Sequence, residues 1–209
     1  RVTSGGLDVT GTTSFTLTSS ASSTSQILES MSGAFTGDYI IQRYVSTRNA
    51  NYANFSTPML FTTVGDLDDD LILSGIGGDD GNATSGPVIF RSVYSFNKAT
   101  DTHEEITTTT RAFSTGEGLE FYLATTATEF TAGTIDFDGV PRSGSASISY
   151  NNGWNLVGNP YHCYVDFDLV SSNGPLTGDY YIFDSDAGSY TLFTGAGKAD
   201  IAPAQGFWI

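Results

Sequence analysis

The chain reads as an all-β protein: an antiparallel, jelly-roll-like β-sandwich built from two related β-units, with a β-rich N-terminal arm. Three observations predict this. Aromatic residues make up 13% of the 209 positions, with 14 Phe and 11 Tyr, and such side chains suit a pleated, half-buried surface. The 24 Gly, together with abundant Ser, Thr, Asn and Asp, supply turns, while no long stretch carries a helical period; the best candidate, Ser25 to Met31, is short. The third observation is an internal repeat, taken up below.

Residues 1–37 form the arm. Leu7 and Val9 alternate with polar neighbours, as do Phe15 and Leu17, with Gly5-Gly6 and Gly11 between. Two short polar strands with so little core are marginal in water unless they pair. They can pair with an edge of their own domain. Alternatively, Leu7, Val9, Phe15 and Leu17 can extend the sheet of a second copy by strand addition, with Phe15 and Leu17 filling its pockets. Head-to-tail addition does not close, so it would give a homopolymeric filament. Edges without Lys invite such pairing.

The first β-unit is predicted over 38–144 and the second over 145–209. Tyr39 to Val45 (YIIQRYV) is a strand. Asn54-Phe55-Ser56-Thr57-Pro58 resembles Asn155 to Pro160, an offset of 160 − 58 = 102. Proline ends pairing there because it has no N–H for the ladder. In the first unit a long insertion follows, Leu60 to Gly86, rich in Asp and Gly. Next comes an aromatic strand and polar turn, Ser92 to Asp101, matched by Asp179 to Gly188 (181 − 94 = 87). A glycine-bearing closing strand then matches Gly118 with Gly206 (206 − 118 = 88). Two such units with apolar faces are expected to pack as one sandwich.

Net charge is −15, with only 8 Lys plus Arg. Phosphate binding needs clustered cations, so nucleic acid is excluded as a partner, as is an anionic membrane surface. No apolar run reaches the length of a membrane span. The single cysteine, Cys163, rules out an internal disulfide framework. Lys-poor, Ser/Thr-rich, acidic β-sequence, such as Thr10 to Ser25, points to an exported protein at a bacterial cell surface. The chain starts at Arg1 and stops within a strand-like Phe207-Trp208-Ile209, which is read as a mature or trimmed piece.

Gly153-Trp154-Asn155-Leu156-Val157-Gly158-Asn159-Pro160-Tyr161 resembles a motif of large surface proteins of Bacteroidota exported by type IX secretion. The strand ending in Gln42-Arg43-Tyr44, the Asn51–Pro58 element, and Tyr181-Ile182-Phe183-Asp184 followed by Ile201 to Trp208 resemble flanking parts of the same domain. The resemblance spans about 38–209. It departs at His162-Cys163-Tyr164, where the family usually has a second proline. It implies a structural or adhesive module of a repetitive surface protein, and it transfers no catalytic residues.

Direct inspection for chemistry agrees with a non-catalytic reading. His162 and Cys163 are adjacent, so on a strand they point to opposite faces and make a poor dyad. No Gly-x-Ser-x-Gly elbow is present. Glu104, Glu105, Glu117, Glu120 and Glu129 could supply a glycosidase pair, but so many carboxylates make some pair inevitable. Asp66, Asp68 and Asp70, with Asp79 a short loop away, are candidate Ca²⁺ ligands, the alternative being a solvated loop. Leu71 occupies the glycine position of an EF-hand and Gly77 its final Glu position, which excludes that motif. Tyr161 and Tyr164, with Trp154, Trp208, Tyr180 and Tyr190, are candidates for a sugar-stacking platform, although core packing is the usual role of Trp in such strands. The rival function is therefore a carbohydrate-binding module of an exported enzyme, with a surface glycan as partner.

Overall fold

Period-two alternation carries much of the chain into strands. The computed structural model describes residues 6–11, 14–27, 35–77, 90–125, 129–170 and 178–209. In chain order the strands are β1 (Leu7–Asp8), β2 (Phe15–Leu17), β3 (Phe35–Thr36), β4 (Tyr39–Val45), β5 (Arg48–Asn49), β6 (Asn51–Phe55), β7 (Val93–Asn97), β8 (Thr102–Glu105), β9 (Leu119–Leu123), β10 (Glu129–Phe130), β11 (Gly133–Gly139), β12 (Leu156–Gly158), β13 (Tyr180–Asp184), β14 (Ser189–Phe193) and β15 (Gly206–Trp208). Two 3-10 turns, Val64–Leu67 and Phe167–Leu169, are the helical elements among the described residues. No described helix is long and apolar enough to cross a membrane.

Three sheets set the architecture, in the orders β11–β4–β2, β6–β9–β7–β8 and β12–β15–β13–β14. The first two face each other. Tyr39, Ile41, Val45, Ile135 and Phe137 from one meet Phe55, Val93, Leu119, Phe121 and Leu123 from the other in a single buried cluster. Leu67, Leu71, Leu73 and Ile76, from the segment after β6, fill the same core. Each such side chain contributes about 1.5–3 kcal/mol on burial, so this core dominates stability over the few exposed ion pairs. The third sheet has a smaller core of Val157, Phe167, Tyr180, Ile201 and Phe207.

The second and third sheets share more than strand order. Asn54 lies opposite Glu120, and Leu156 opposite Trp208. Tyr94 lies opposite Glu120, and Tyr181 opposite Trp208. Tyr94 also faces Glu105 across the hairpin, as Tyr181 faces Leu192. The offsets 102, 88 and 87 thus hold in pairing register. They also hold between the sheets, where contacts are reciprocal: Phe55 bridges Gln205, and Val157 bridges Glu117. Ser56 N donates to Ala204 O at 3.0 Å, and Gly158 N to Gly116 O at 2.9 Å. Reciprocal contacts of this kind relate the two sheets by a local two-fold axis.

Backbone conformation repeats as well. Gly116 and Ala204, equivalent under the 88 offset, both have positive φ, at 65° and 56°. Asp101 and Gly188 do likewise at the hairpin turns, at 57° and 61°. Close approach at the axis explains the closing-strand glycines. A Cβ on Gly118 would lie 2.6 Å from Val157 O, and one on Gly206 2.9 Å from the Asn54 carbonyl carbon.

The arm departs from an all-antiparallel arrangement. β1 pairs with β3, and β2 with β4, both in parallel. Parallel neighbours need a long connection, which the Ser/Thr-rich stretch after β2 provides. Of the two pairings open to Leu7, Val9, Phe15 and Leu17, the structure shows the one within their own chain. Val9 and Leu17 are buried in the main core of their own chain, and Leu7 and Phe15 pack against it. Tyr39 Oη donates to Leu7 O at 2.5 Å, and the Phe15 ring meets Tyr39 edge-on at 5.6 Å. Parallel places beside β3 and β4 pair β1 and β2 within their own chain.

Candidate functional site

Alternation that buries one face of the second and third sheets leaves the other face aromatic. Register places Tyr52, Tyr94, Phe96, Glu120 and Tyr122 on that face of the second sheet, with His103 opposite Phe96. Their equivalents on the third are Trp154, Tyr181, Phe183 and Trp208, with Tyr190 in the place of His103. The two faces meet: Phe96 and Trp208 have ring centroids 4.7 Å apart, and His103 and Trp208 5.8 Å apart. Edge-on contacts continue in both directions, through Tyr94, Tyr52, Tyr122 and Phe90 on one side. On the other they run through Trp154, Tyr181 and Tyr190. Trp208 is the buried hub, at 5% exposure, while Trp154 and Tyr190 stand 47% and 49% exposed. Both rings are nearly perpendicular to that hub, at 86° and 88°, which fixes their outer faces.

A histidine–carboxylate contact sits in this band. His103 Nε2 lies 3.3 Å from Glu120 Oε2, the carboxylate being well covered. Burial pushes the Glu120 pKa up, against the pull of His103. The Tyr190 phenol is pushed up too, first by burial and then by the Glu120 charge. One covered carboxylate among rings can accept hydrogen bonds from a polyhydroxylated or cationic ligand.

The sequence-derived candidates fall in several places. Trp154, Trp208 and Tyr190 come together in the band. Tyr180 belongs to the smaller core instead. Tyr161 lines an apolar groove of about 860 Å³ with Ile148, Phe167 and Phe207. Its hydroxyl donates to Gly144 O at 3.0 Å and accepts from Ala146 N at 2.8 Å, so it ties down the chain entering the second unit. Tyr164 is exposed, and its backbone N–H donates to Gln26 Oε1. Tyr161 and Tyr164 therefore do not join the band.

The acidic residues are used within the fold. Asp66 Oδ2 accepts from Thr63 N at 2.7 Å and caps the first 3-10 turn. Asp68 ends that turn. Asp70 Oδ2 accepts from Asp136 N at 2.6 Å. Asp79 lies outside the described residues. Among the described residues, no group of three or more His, Cys, Asp or Glu is placed to hold a metal ion. Cys163 is buried and in no disulfide.

Sequence reading missed the Glu120–His103 pair. The repeat itself carried the signal, because Glu120 stands where the other unit has Trp208. Comparison with family models, curated proteins and solved structures found no match. What the fold and site define is thus an all-β sandwich-like protein with an aromatic band joining two symmetry-related sheets.

Proposed function

We propose that this chain is a non-catalytic extracellular module of a bacterial surface protein, that its role is adhesive, and that the aromatic band is its contact surface. The observation that carries this is the pair of half-exposed rings, Trp154 and Tyr190, held at right angles to the buried Trp208. Rigid aromatic faces give large contact area at low entropic cost. The acidic, Lys-poor composition supports a setting where solubility, rather than nucleic-acid contact, matters. The same rings favour a second reading, a carbohydrate-binding module attached to an exported enzyme, since sugar rings stack on such faces. Filament growth by strand addition through the arm would require β1 and β2 to leave the places they hold in their own chain.

The test is retention of the purified chain on insoluble polysaccharides (cellulose, chitin, xylan) and on whole bacterial cells. Wild-type retention lost at least tenfold in Trp154→Ala/Tyr190→Ala, with an unchanged circular-dichroism spectrum, supports the reading. Equal retention of the double variant removes the band from the interaction. Absence of wild-type retention on every surface overturns the adhesive role.

A further inference from the structure

The two related sheets end in equivalent edge strands of opposite chemistry. β8 closes the second sheet and β14 the third. Under the 87 offset, His103, Glu104 and Glu105 of β8 stand where β14 has Tyr190, Thr191 and Leu192. Sheets keep their edges from pairing by placing charge on them. β8 follows that rule with two glutamates, of which Glu105 also pairs with Arg91 at 3.1 Å. β14, Ser189-Tyr190-Thr191-Leu192-Phe193, carries neither charge nor proline, in a chain of net charge −15.

The outer edge of β14 is also open. Its first four residues are exposed, Tyr190 at 49% and Leu192 at 47%. Among the described residues its backbone hydrogen-bonds to β13 alone. The strand is fixed in place by its rings. Phe193 stacks on Tyr180 with centroids 4.7 Å apart, and Tyr190 lies 5.1 Å from Phe183 and 6.3 Å from Trp208. A fixed, uncharged, open edge is a template for one more strand.

We propose that the added strand is β14 of a second copy, paired antiparallel about a two-fold axis at Thr191. The strand fits itself in that register. Between the two copies, Ser189 faces Phe193, Tyr190 faces Leu192, and Thr191 faces Thr191. A ring against an aliphatic side chain and threonine against threonine are favourable cross-strand pairs, and no like charges meet. The same operation on β8, centred on Glu104, would set two glutamates directly opposite each other, which is destabilising. Charge therefore selects β14 as the edge at which two strongly acidic copies approach. The contact is isologous and closes at a dimer. Tyr190 and Leu192 share the band face, since they lie opposite Phe183 and Tyr181. An axis perpendicular to the sheet keeps both bands on one side, so pairing uses the strand's edge and leaves the outer faces of the rings free.

One strand-to-strand seam is small, which places the dimer among weak, reversible associations. The test is sedimentation velocity of the full chain over a concentration series reaching about 1 mM. A concentration-dependent dimer is expected. Thr191→Lys and Thr191→Asp each set like charges against each other and should each weaken it at least tenfold, with unchanged circular dichroism. An equimolar mixture of the two variants should recover the dimer, because lysine then faces aspartate; mixing would not repair a folding defect in either. Trp154→Ala should leave the dimer unchanged, so that this association and the contact role of the band succeed or fail separately. A wild-type chain that stays monomeric, a dimer that survives both charge variants, or a mixture of folded variants that stays monomeric would each overturn the proposal.

Discussion

Ser56 and Gly158 occupy equivalent positions of the two related sheets and meet at the local axis, where a Cβ built on Gly158 would overlap the Cβ of Ser56. There is room for one side chain across the axis, not two. Gly158→Ala is therefore expected to destabilise by about 2–3 kcal/mol, the cost of overpacking. Adding Ser56→Gly should recover most of the loss. Chemical denaturation of both single variants and the double variant checks the coupling; additive effects would mean the two residues do not compete.

Ala204 holds a positive φ that its counterpart Gly116 adopts freely. Ala204→Gly should raise stability by about 0.5–1 kcal/mol, because glycine meets this conformation without strain. Gly116→Ala should do the reverse and more, since its Cβ would collide with the Ile148 side chain. The opposite signs are the measurement.

Asp70 is pushed up to about 6 by burial, aided by Asp69, Asp136 and Asp138 and opposed by the hydrogen bond from Asp136 N. A folded-state value above the unfolded one means that the native state binds the proton more tightly. Its stabilisation is complete below about pH 4 and is lost as pH rises through 6. With solvent screening at a half-covered site, the effect is about 1–2 kcal/mol. Asp70→Asn keeps an acceptor for Asp136 N and removes the charge. It should raise the melting temperature at pH 7.5 and leave it unchanged at pH 3.5. A fall at pH 7.5 would show that the ionised carboxylate is the stabilising form.

Leu17 is buried against the main core. Leu17→Ala is expected to cost about 2–4 kcal/mol, and deletion of residues 1–25 should lower the melting temperature while the protein keeps its sedimentation coefficient per mass. A change from polymer to monomer on deletion would instead restore the arm to an assembly role.

The repeat was legible because Tyr94 and Tyr181, Gly118 and Gly206, and Pro58 and Pro160 keep register through short, punctuated segments. Side-chain facing was less so. Alternating aromatic strands show that one face is apolar, but both faces of β9 carry large side chains, and only pairing reveals which set meets the third sheet. Tyr161 was read as a ligand residue from its place after Pro160, whereas its hydroxyl serves backbone groups at 144 and 146. The contact between Arg43 and Gln205 had no linear signature: the two residues are 162 positions apart and are brought together only by tertiary packing.

The reciprocal bridges Phe55–Gln205 and Val157–Glu117 mean that each unit holds the final pairing partner of the other. A pull applied between the arm and Ile209 cannot extend one unit while the other stays intact, because the strands that would leave first are clasped by their counterparts. Force–extension traces of a single molecule should accordingly show one rupture spanning both units.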